Sequence, residues 1–228
     1  MPDISAFIAG FITVGIPAIL AITLHEAAHG YIALAFGDPT AREAGRLTLN
    51  PIRHIDPMGT IILPVMLYFS GLPIFGWAKP VPVDFSRLRN PRRDSVWVAG
   101  AGPAVNIFLA IVSALLIHLV PSAGGDGGKL FAEVLVNSVQ INVLLAVFNM
   151  LPLPPMDGGR VAVGILPDRL AFPLARLEKY GMFILLALLI ALPWLGSLVG
   201  LNLSILSWVV VPIAERLIDL IASLAGHA

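Results

Sequence analysis

The most chemically informative residues lie in one short stretch, His25-Glu26-Ala27-Ala28-His29. Histidines four positions apart project from the same face of a helix, one turn from each other. Two such imidazoles match two ligands of a tetrahedral zinc ion, and Glu26 lies alongside to accept a proton from water on the metal. Chance occurrence on a solvated helix face is the alternative, because the pattern fixes only three residues.

The surroundings of this stretch favour the metal site. The chain is 57% hydrophobic and 12% charged, with a mean hydropathy of +0.90, whereas an ordinary soluble domain has about 25% charged residues. The histidines lie in an apolar segment over residues 6–36, where an ionisable residue costs on the order of 2–3 kcal/mol. A bound dication would neutralise the cluster. We therefore expect an integral membrane protein with a metal site inside its first membrane-spanning helix.

Composition also excludes several classes of function. The net charge is zero, which argues against a nucleic-acid partner, because phosphate neutralisation requires an excess of cations. The chain has no cysteine, so it has no disulfide, no thiolate metal site and no cysteine nucleophile. The lipid bilayer is the partner that this composition predicts.

A catalytic zinc site needs a third protein ligand, and Asp157 is the candidate. It is the only acidic residue between Glu133 and Asp168. It follows Pro152-Leu153-Pro154-Pro155, which cannot continue a helix, and it precedes two glycines that permit a close backbone turn. Asp157 is either a solvated residue where the chain leaves the membrane or a carboxylate held beside the first span. The histidine pair favours the second interpretation.

Stretches without Asp, Glu, Lys or Arg define the elements that must position these residues. A membrane-spanning helix needs about 20 apolar residues. We therefore predict an all-α polytopic membrane protein with five to six transmembrane helices, forming one integral-membrane domain over residues 1–228. Its catalytic core covers about 6–165, and a C-terminal helix pair covers about 180–221. The uncharged stretches are Ile4–Leu24, Pro57–Ala78, Ser95–Gly125, Val134–Met156 and Tyr180–Ala214.

The distribution of cations predicts the orientation of these elements. Twelve of the fourteen Lys and Arg residues fall near 42–53, 79–93 and 160–179, and Lys/Arg-rich short loops stay cytoplasmic. The Gly/Pro-rich stretch 57–78 lies between two of these segments, so we favour a re-entrant segment near 57–83 over a sixth full span. The remaining spans then alternate: 6–36, 131–151 and 202–221 run towards the cytoplasm, and 96–120 and 181–195 run away from it.

Two motifs in different apolar stretches together resemble a known family. His25-Glu26-x-x-His29 and Asn149-x-x-Pro152-x-Pro154-x-x-Asp157-Gly158 resemble the motifs of the site-2 protease family of intramembrane zinc metalloproteases. Five further motifs resemble its compact bacterial and archaeal branch, for which we expect no PDZ insert and no CBS pair. The resemblance covers roughly residues 20–165. The five motifs lie at Gly37–Ala41, Gly45–Pro51, His54–Thr60, Gly76–Val83 and Ala101–Asn106.

The resemblance implies one zinc ion per chain, bound by His25, His29 and Asp157, with Glu26 as the general base. It associates Asn149 with substrate positioning or contact to the oxyanion. The implied activity is that of a zinc metalloendopeptidase that hydrolyses a peptide bond within or near a transmembrane segment of a membrane-protein substrate. The implied location is the cell membrane of a prokaryote.

Two further polar residues are candidates for supporting a metal ligand. Asn106 follows Gly102-Pro103 in the third uncharged stretch, and we interpret it first as an amide that packs between helices and second as a support for a ligand. His54 lies in the loop after the first span. It is either such a support, a residue of the substrate cleft, or a solvated histidine.

The position of the histidines and the presence of Glu26 bear on the type of function. His29 precedes the end of its predicted span by about seven residues, or ~10 Å, so we expect the active site nearer the cytoplasmic face. A membrane metal transporter would use the histidines and Asp157 as a transit site but would not need Glu26. A non-catalytic membrane adaptor would not need the complete set. Glu26 therefore favours hydrolysis.

Overall fold

A computed structural model describes residues 4–70, 76–120 and 125–227. These residues form helices and connecting loops, and they include no strand. The helices are Ile4–Gly10 (α1), Ile16–Ala35 (α2), Thr40–Glu43 (α3), Leu63–Phe69 (α4), Pro91–Ile117 (α5), Gly125–Asn149 (α6), Asp157–Ile165 (α7), Asp168–Leu177 (α8), Gly181–Leu186 (α9), Leu192–Leu198 (α10) and Val211–Leu224 (α11). Short π-helical segments lie at Phe11–Gly15, Pro57–Ile62, Ala187–Ala191 and Leu206–Val210, and 3-10 turns lie at Pro51–His54, Phe85–Arg87 and Glu178–Tyr180.

Within the described ranges, four continuous helical stretches are long and apolar enough to cross a membrane. They are Ile8–Ala35, Pro91–Ile117, Gly125–Asn149 and Asp168–Leu198, and a shorter apolar helix covers Pro57–Leu67. Large apolar side chains such as Phe11, Leu20, Phe108, Phe183 and Trp194 are exposed on the outside of the protein, as lipid contact requires. The predicted all-α polytopic membrane protein is confirmed.

The C-terminal part departs from the prediction in its boundaries. The helix predicted near 181–195 begins already at Asp168 and continues to Leu198. The helix predicted near 202–221 is present as Leu206–Val210 followed by α11. It carries Glu215, Arg216 and Asp219, so it is not among the four stretches that meet the criterion for a span.

The direction of α11 also differs from the prediction. His118 Nε2 donates to Ala225 O at 2.5 Å, and His227 Nε2 donates to Ala114 O at 2.7 Å. The C-terminal ends of α5 and α11 therefore lie together, and the two helices end on the same side of the protein. The predicted alternation gave them opposite directions. After Lys179 the sequence has one cation, Arg216, so charge could not determine the direction of this part.

The centre of the fold is the contact among α2, α5 and α6. Small residues line this contact, including Ala21, Ala27, Gly102, Ala110 and Ala146, all of them buried. Small side chains allow helix backbones to approach closely, and polar side chains can then hydrogen bond across the interface. This packing brings residues that lie about 80 positions apart in the chain within hydrogen-bonding distance of each other.

The Gly/Pro-rich segment 57–83 has both of its ends at the same place. Trp77 N donates to Gly59 O at 3.1 Å, and Lys79 N donates to His54 O at 2.9 Å. A full crossing would separate the ends by about 30 Å. The geometry is thus that of a segment that leaves and returns; residues 71–75 lie outside the described residues.

Candidate metal centre

The two histidines of the HExxH motif lie on one face of α2 and meet at their Nε2 atoms. His25 and His29 are 6% and 9% exposed, and their Nε2 atoms are 3.0 Å apart. The rings are nearly perpendicular, with centroids 4.7 Å apart. The spacing of four residues on a helix therefore does what the sequence predicts: it directs both imidazoles to one point.

Asp157 reaches the same point from a different part of the chain. It is the first residue of α7, and its Oδ2 lies 3.1 Å from His25 Nε2 and 3.4 Å from His29 Nε2. The two glycines that follow Asp157 make this placement sterically allowed. A Cβ on Gly158 would overlap the backbone of Met150 and Leu151, and one on Gly159 would overlap the backbone of the proline turn.

Hydrogen bonds on the opposite side of each ring determine which nitrogen carries the proton. His25 Nδ1 lies 2.6 Å from Asn106 Oδ1, and His29 Nδ1 lies 2.7 Å from the Val98 carbonyl oxygen. Both oxygens can only accept, so each neutral ring carries its hydrogen on Nδ1. The Nε2 lone pairs then point towards Asp157. Such contacts to the second nitrogen are the usual support of histidine ligands to metals.

The arrangement fits a divalent cation. Two Nε2 lone pairs and a carboxylate oxygen converge within 3.0–3.4 Å, and Asp157 Oδ2 is buried without a hydrogen-bond donor among the described residues. Three acceptors repel each other unless a cation lies between them. For Zn–N distances of about 2.0–2.1 Å, tetrahedral ligands are about 3.3 Å apart, which agrees with the observed separations.

The electrostatics of Asp157 are consistent with a ligand role. Asp157 lies outside the four apolar stretches. Burial raises the pKa of its carboxyl group, whereas the hydrogen bonds and charges of protonated imidazoles at this point lower that pKa well below the usual Asp range. A dication held there in place of those protons acts in the same direction. Asp157 is therefore the anionic member of the group, which partly neutralises a dication and leaves one tetrahedral position for water or substrate.

Gly102 on α5 provides the space for this convergence. A Cβ at this position would lie 2.6 Å from His25 Cε1, from His25 Nε2 and from His29 Nε2. Only glycine lets α5 pass this close to both imidazoles. Gly102 therefore packs directly against the ligand pair.

Glu26 lies beside the histidines at the edge of a cavity. Its Oε2 accepts a hydrogen bond from Val81 N at 2.7 Å, so the returning part of the segment 57–83 fixes this carboxylate. The cavity has a volume of about 440 Å³, and its lining includes His25, Glu26, Trp77 and Asn149. Apolar side chains of α6, of α9 and of the π-helical segments Ala187–Ala191 and Leu206–Val210 form most of the remaining wall. A substrate in this cavity would contact Glu26 directly.

Asn149 lies at the end of α6 and lines the same cavity. Its Nδ2 donates one hydrogen bond to Leu145 O at 3.0 Å. An amide nitrogen has two hydrogens, and among the described residues only one of them has an acceptor, so the other can bond to a group inside the cavity. The role of Asn149 towards substrate or oxyanion stays a prediction.

The two candidate supporting residues differ in what they contact. Asn106 is fully buried and bonds to His25, so it combines the packing role that the sequence favoured with the supporting role. His54 is 2% exposed, and its Nε2 donates to Thr48 O at 2.9 Å. It is not solvated, and its hydrogen bonds hold the loop that precedes the segment 57–83 rather than a ligand.

Two supporting groups were not found from the sequence. The Val98 carbonyl oxygen, which holds His29, belongs to the backbone and has no residue signature. The Val81 N–H, which holds Glu26, is likewise a backbone group. The only signal for the latter was Gly76-Trp77-Ala78-Lys79-Pro80-Val81-Pro82-Val83 among the family motifs.

Comparison with known proteins agrees with this site. The model of the family described as "Peptidase family M50" matches residues 127–192, which include Asn149 and Asp157. A Bacillus subtilis (strain 168) protein named "Putative zinc metalloprotease YwhC" is 40% identical over 179 residues, which cover 77% of this chain and 78% of that protein. This chain belongs to peptidase family M50, the site-2 protease family.

Further relatives of this M50 chain have similar names. Proteins named "Putative zinc metalloprotease Rip2" are 30% identical in Mycolicibacterium smegmatis, over 81% of this chain and 69% of the relative, and in Mycobacterium tuberculosis (strain H37Rv), over 82% and 70%. No solved structure gives a significant match. Family and relatives support a zinc metalloprotease, and the apolar helices indicate a multi-pass membrane protein.

Proposed function

We propose that this M50 chain is an intramembrane zinc metalloprotease that hydrolyses a peptide bond within or near a transmembrane segment of a membrane-protein substrate. The observation that carries the proposal is the convergence of His25, His29 and Asp157 beside Glu26, on helices apolar enough to cross a membrane. One ion per chain is proposed, because these three residues form the one group of metal-ligating side chains within the described ranges.

Zinc held by His25, His29 and Asp157 would supply a Lewis acid that lowers the pKa of water and polarises the scissile carbonyl. The residues of the chain supply the proton transfers. Glu26 accepts the proton of the attacking water and returns it to the leaving amine. The Val81 N–H holds one carboxylate oxygen of Glu26, so the other oxygen is available for this proton. The second N–H of Asn149 is proposed to contact the carbonyl oxygen of the substrate.

The proposed setting is the cell membrane of a prokaryote, with the site nearer the cytoplasmic face. His29 precedes the end of α2 at Ala35 by six residues, or ~9 Å. The chain segment between α2 and α5, together with the first turn of α5, contains eight of the fourteen Lys and Arg residues, which favour the cytoplasm. A helical substrate hides its carbonyl groups in backbone hydrogen bonds, so the partner is proposed to be a transmembrane helix that unwinds locally at the cavity.

Reconstitution with candidate single-span proteins tests the proposal. Wild type, Glu26→Gln and the control Glu43→Gln are compared with and without a chelator. The side chain of Glu43 is 58% exposed and pairs with Arg87, so this control removes an equivalent charge away from the site. We expect cleavage in wild type and in Glu43→Gln, loss with chelator, and loss in Glu26→Gln with zinc retained.

The alternatives predict different results in the same vesicles. A transporter would carry zinc into the vesicles and would continue to do so in Glu26→Gln. An adaptor would bind zinc without cleavage or flux. Either result, obtained with folded wild-type protein, would exclude the protease.

A further inference from the structure

A network of hydrogen-bonded amides and hydroxyls extends from the metal centre into the helix bundle. Asn142, in the apolar middle of α6, is 1% exposed. Its Oδ1 accepts from Asn106 Nδ2 at 2.9 Å, and its Nδ2 donates to Ser138 O at 2.9 Å and to Ser138 Oγ at 3.3 Å. Ser138 Oγ in turn lies 2.8 Å from Ser113 Oγ. The HExxH and Asp157 motifs do not include Asn142.

The donors and acceptors of this network allow only one orientation of the Asn142 and Asn106 amides. A backbone carbonyl can only accept, so the atom of Asn142 that faces Ser138 O is its nitrogen, and the atom that faces Asn106 is its oxygen. Asn106 must then turn its nitrogen towards Asn142 and its oxygen towards His25. The Ala21 carbonyl, 3.3 Å from Asn106 Nδ2, favours the same orientation through a longer contact.

The orientation of the Asn106 amide determines which nitrogen of the ligand His25 carries the hydrogen. Because Asn106 presents an oxygen, His25 Nδ1 must carry the hydrogen, and Nε2 keeps its lone pair for the cation. If the Asn106 amide were reversed, it would present N–H to Nδ1 and favour a hydrogen on Nε2, which cannot ligate in that form. We propose that Asn142 is a positioning residue of the zinc site, which fixes the Asn106 amide and thereby the tautomer of His25.

This inference rests on the proposed zinc centre, and its test has a readout that needs no metal. The variant is Asn142→Leu, which keeps the size and removes the polar group. The control is Asn137→Leu on the same helix, which removes the hydrogen bond from Asn137 Nδ2 to Thr13 O at 3.0 Å and has no link to His25. The tautomer is measured from ring ¹⁵N shifts of metal-free protein labelled at histidine, with the His25 signals identified by their loss in His25→Gln.

Zinc affinity is measured on the same proteins by competition with a chromophoric chelator. We expect wild type and Asn137→Leu to show His25 protonated at Nδ1 and equal affinities. Asn142→Leu should show a mixture of tautomers and roughly tenfold weaker zinc binding, at the lower end of the range for residues that support a ligand. A folded Asn142→Leu protein that equals Asn137→Leu in both readouts would overturn the inference.

Two further variants keep the test decisive. If Asn142→Leu does not fold, Asn142→Ser is used, because the serine hydroxyl can bond to Ser138 O but is too short to reach Asn106. The same changes in tautomer and zinc affinity are expected.

The second variant is an Asn106→Asp background, in which both terminal atoms of the side chain accept. Asn142→Leu should then no longer change the His25 tautomer, and a change there would contradict the mechanism. If wild type binds no zinc while the tautomer still responds to Asn142→Leu, the proposed function fails and the positioning role stands.

Discussion

Replacing Gly102 by alanine adds one methyl group at the closest approach of α5 to the metal centre. The new Cβ would lie 2.6 Å from three atoms of His25 and His29, whereas non-bonded carbon contacts are optimal at about 3.5–4.0 Å. The rings, or α5 itself, would have to move by about 0.9 Å. Metal–ligand distances tolerate about 0.2 Å, so the displacement is several times what the site accepts.

Two effects of opposite sign act on the stability of the Gly102→Ala variant. Alanine in place of glycine inside a helix stabilises by about 0.5–1 kcal/mol, and overpacking destabilises by about 1–3 kcal/mol. The net change in the free energy of unfolding is therefore a loss of between about 0 and 2.5 kcal/mol. This is less than the roughly 5–15 kcal/mol that stabilises a typical protein, so most of the fold should persist. The chemistry is more sensitive, because a misplacement of about 1 Å can reduce catalysis by about 100-fold.

The assay compares Gly102→Ala with Gly100→Ala in zinc content, cleavage of a membrane-protein substrate and thermal unfolding. A Cβ on Gly100, in the same helix, meets no atom within 4 Å, so this control gains helix propensity without a clash. We expect at least about 100-fold less cleavage in Gly102→Ala, together with loss of zinc, and a control that equals wild type or is more stable. Full zinc and activity in a folded Gly102→Ala protein would refute the steric argument.

Three further predictions test other parts of the structure. Asp157→Asn removes the anionic ligand, and chelator competition should show zinc affinity reduced by more than about 100-fold, above the range for supporting residues; a smaller loss would mean that Asp157 is not a ligand. Gly59→Ala places a methyl on the indole of Trp77 and should displace the returning part of the segment 57–83, whose Val81 N–H holds Glu26. Cleavage should then fall while zinc content, measured by metal analysis, stays equal to wild type. His227→Ala removes the stacking on His118, with centroids 4.0 Å apart, and the hydrogen bond to Ala114 O. It should lower the free energy of unfolding by about 1 kcal/mol in thermal or denaturant unfolding, with zinc content unchanged.

The parts of the site that sequence could predict are those with side-chain signatures. His25, Glu26 and His29 lie at a helical spacing inside an apolar stretch, where polar residues are rare and costly. Asp157 follows an unusual run of prolines and is isolated from other acids. The structure brings the three predicted ligands within 3.4 Å of each other. These local patterns were therefore sufficient to predict which three side chains converge.

The parts that sequence could not predict depend on contacts between distant helices. Glycine in a membrane helix signals close packing in general, and nothing local distinguishes Gly102, which faces two imidazoles, from Gly100, which faces open space. The direction of α11 had no charge signal. Asn106 and Asn142 are both buried amides, but only the bundle reveals that each one orients the next.

The third ligand comes from a chain segment synthesised more than a hundred residues after the first two. During insertion into the membrane, a nascent chain that contains α2 and α5 but has not yet packed α6 and α7 can offer the metal only two imidazoles. Zinc that binds only the native arrangement would stabilise it in proportion to the logarithm of the free zinc concentration. Zinc would thus bind with three ligands only after insertion is complete. A partly inserted protein would be unable to cleave other proteins in the bilayer.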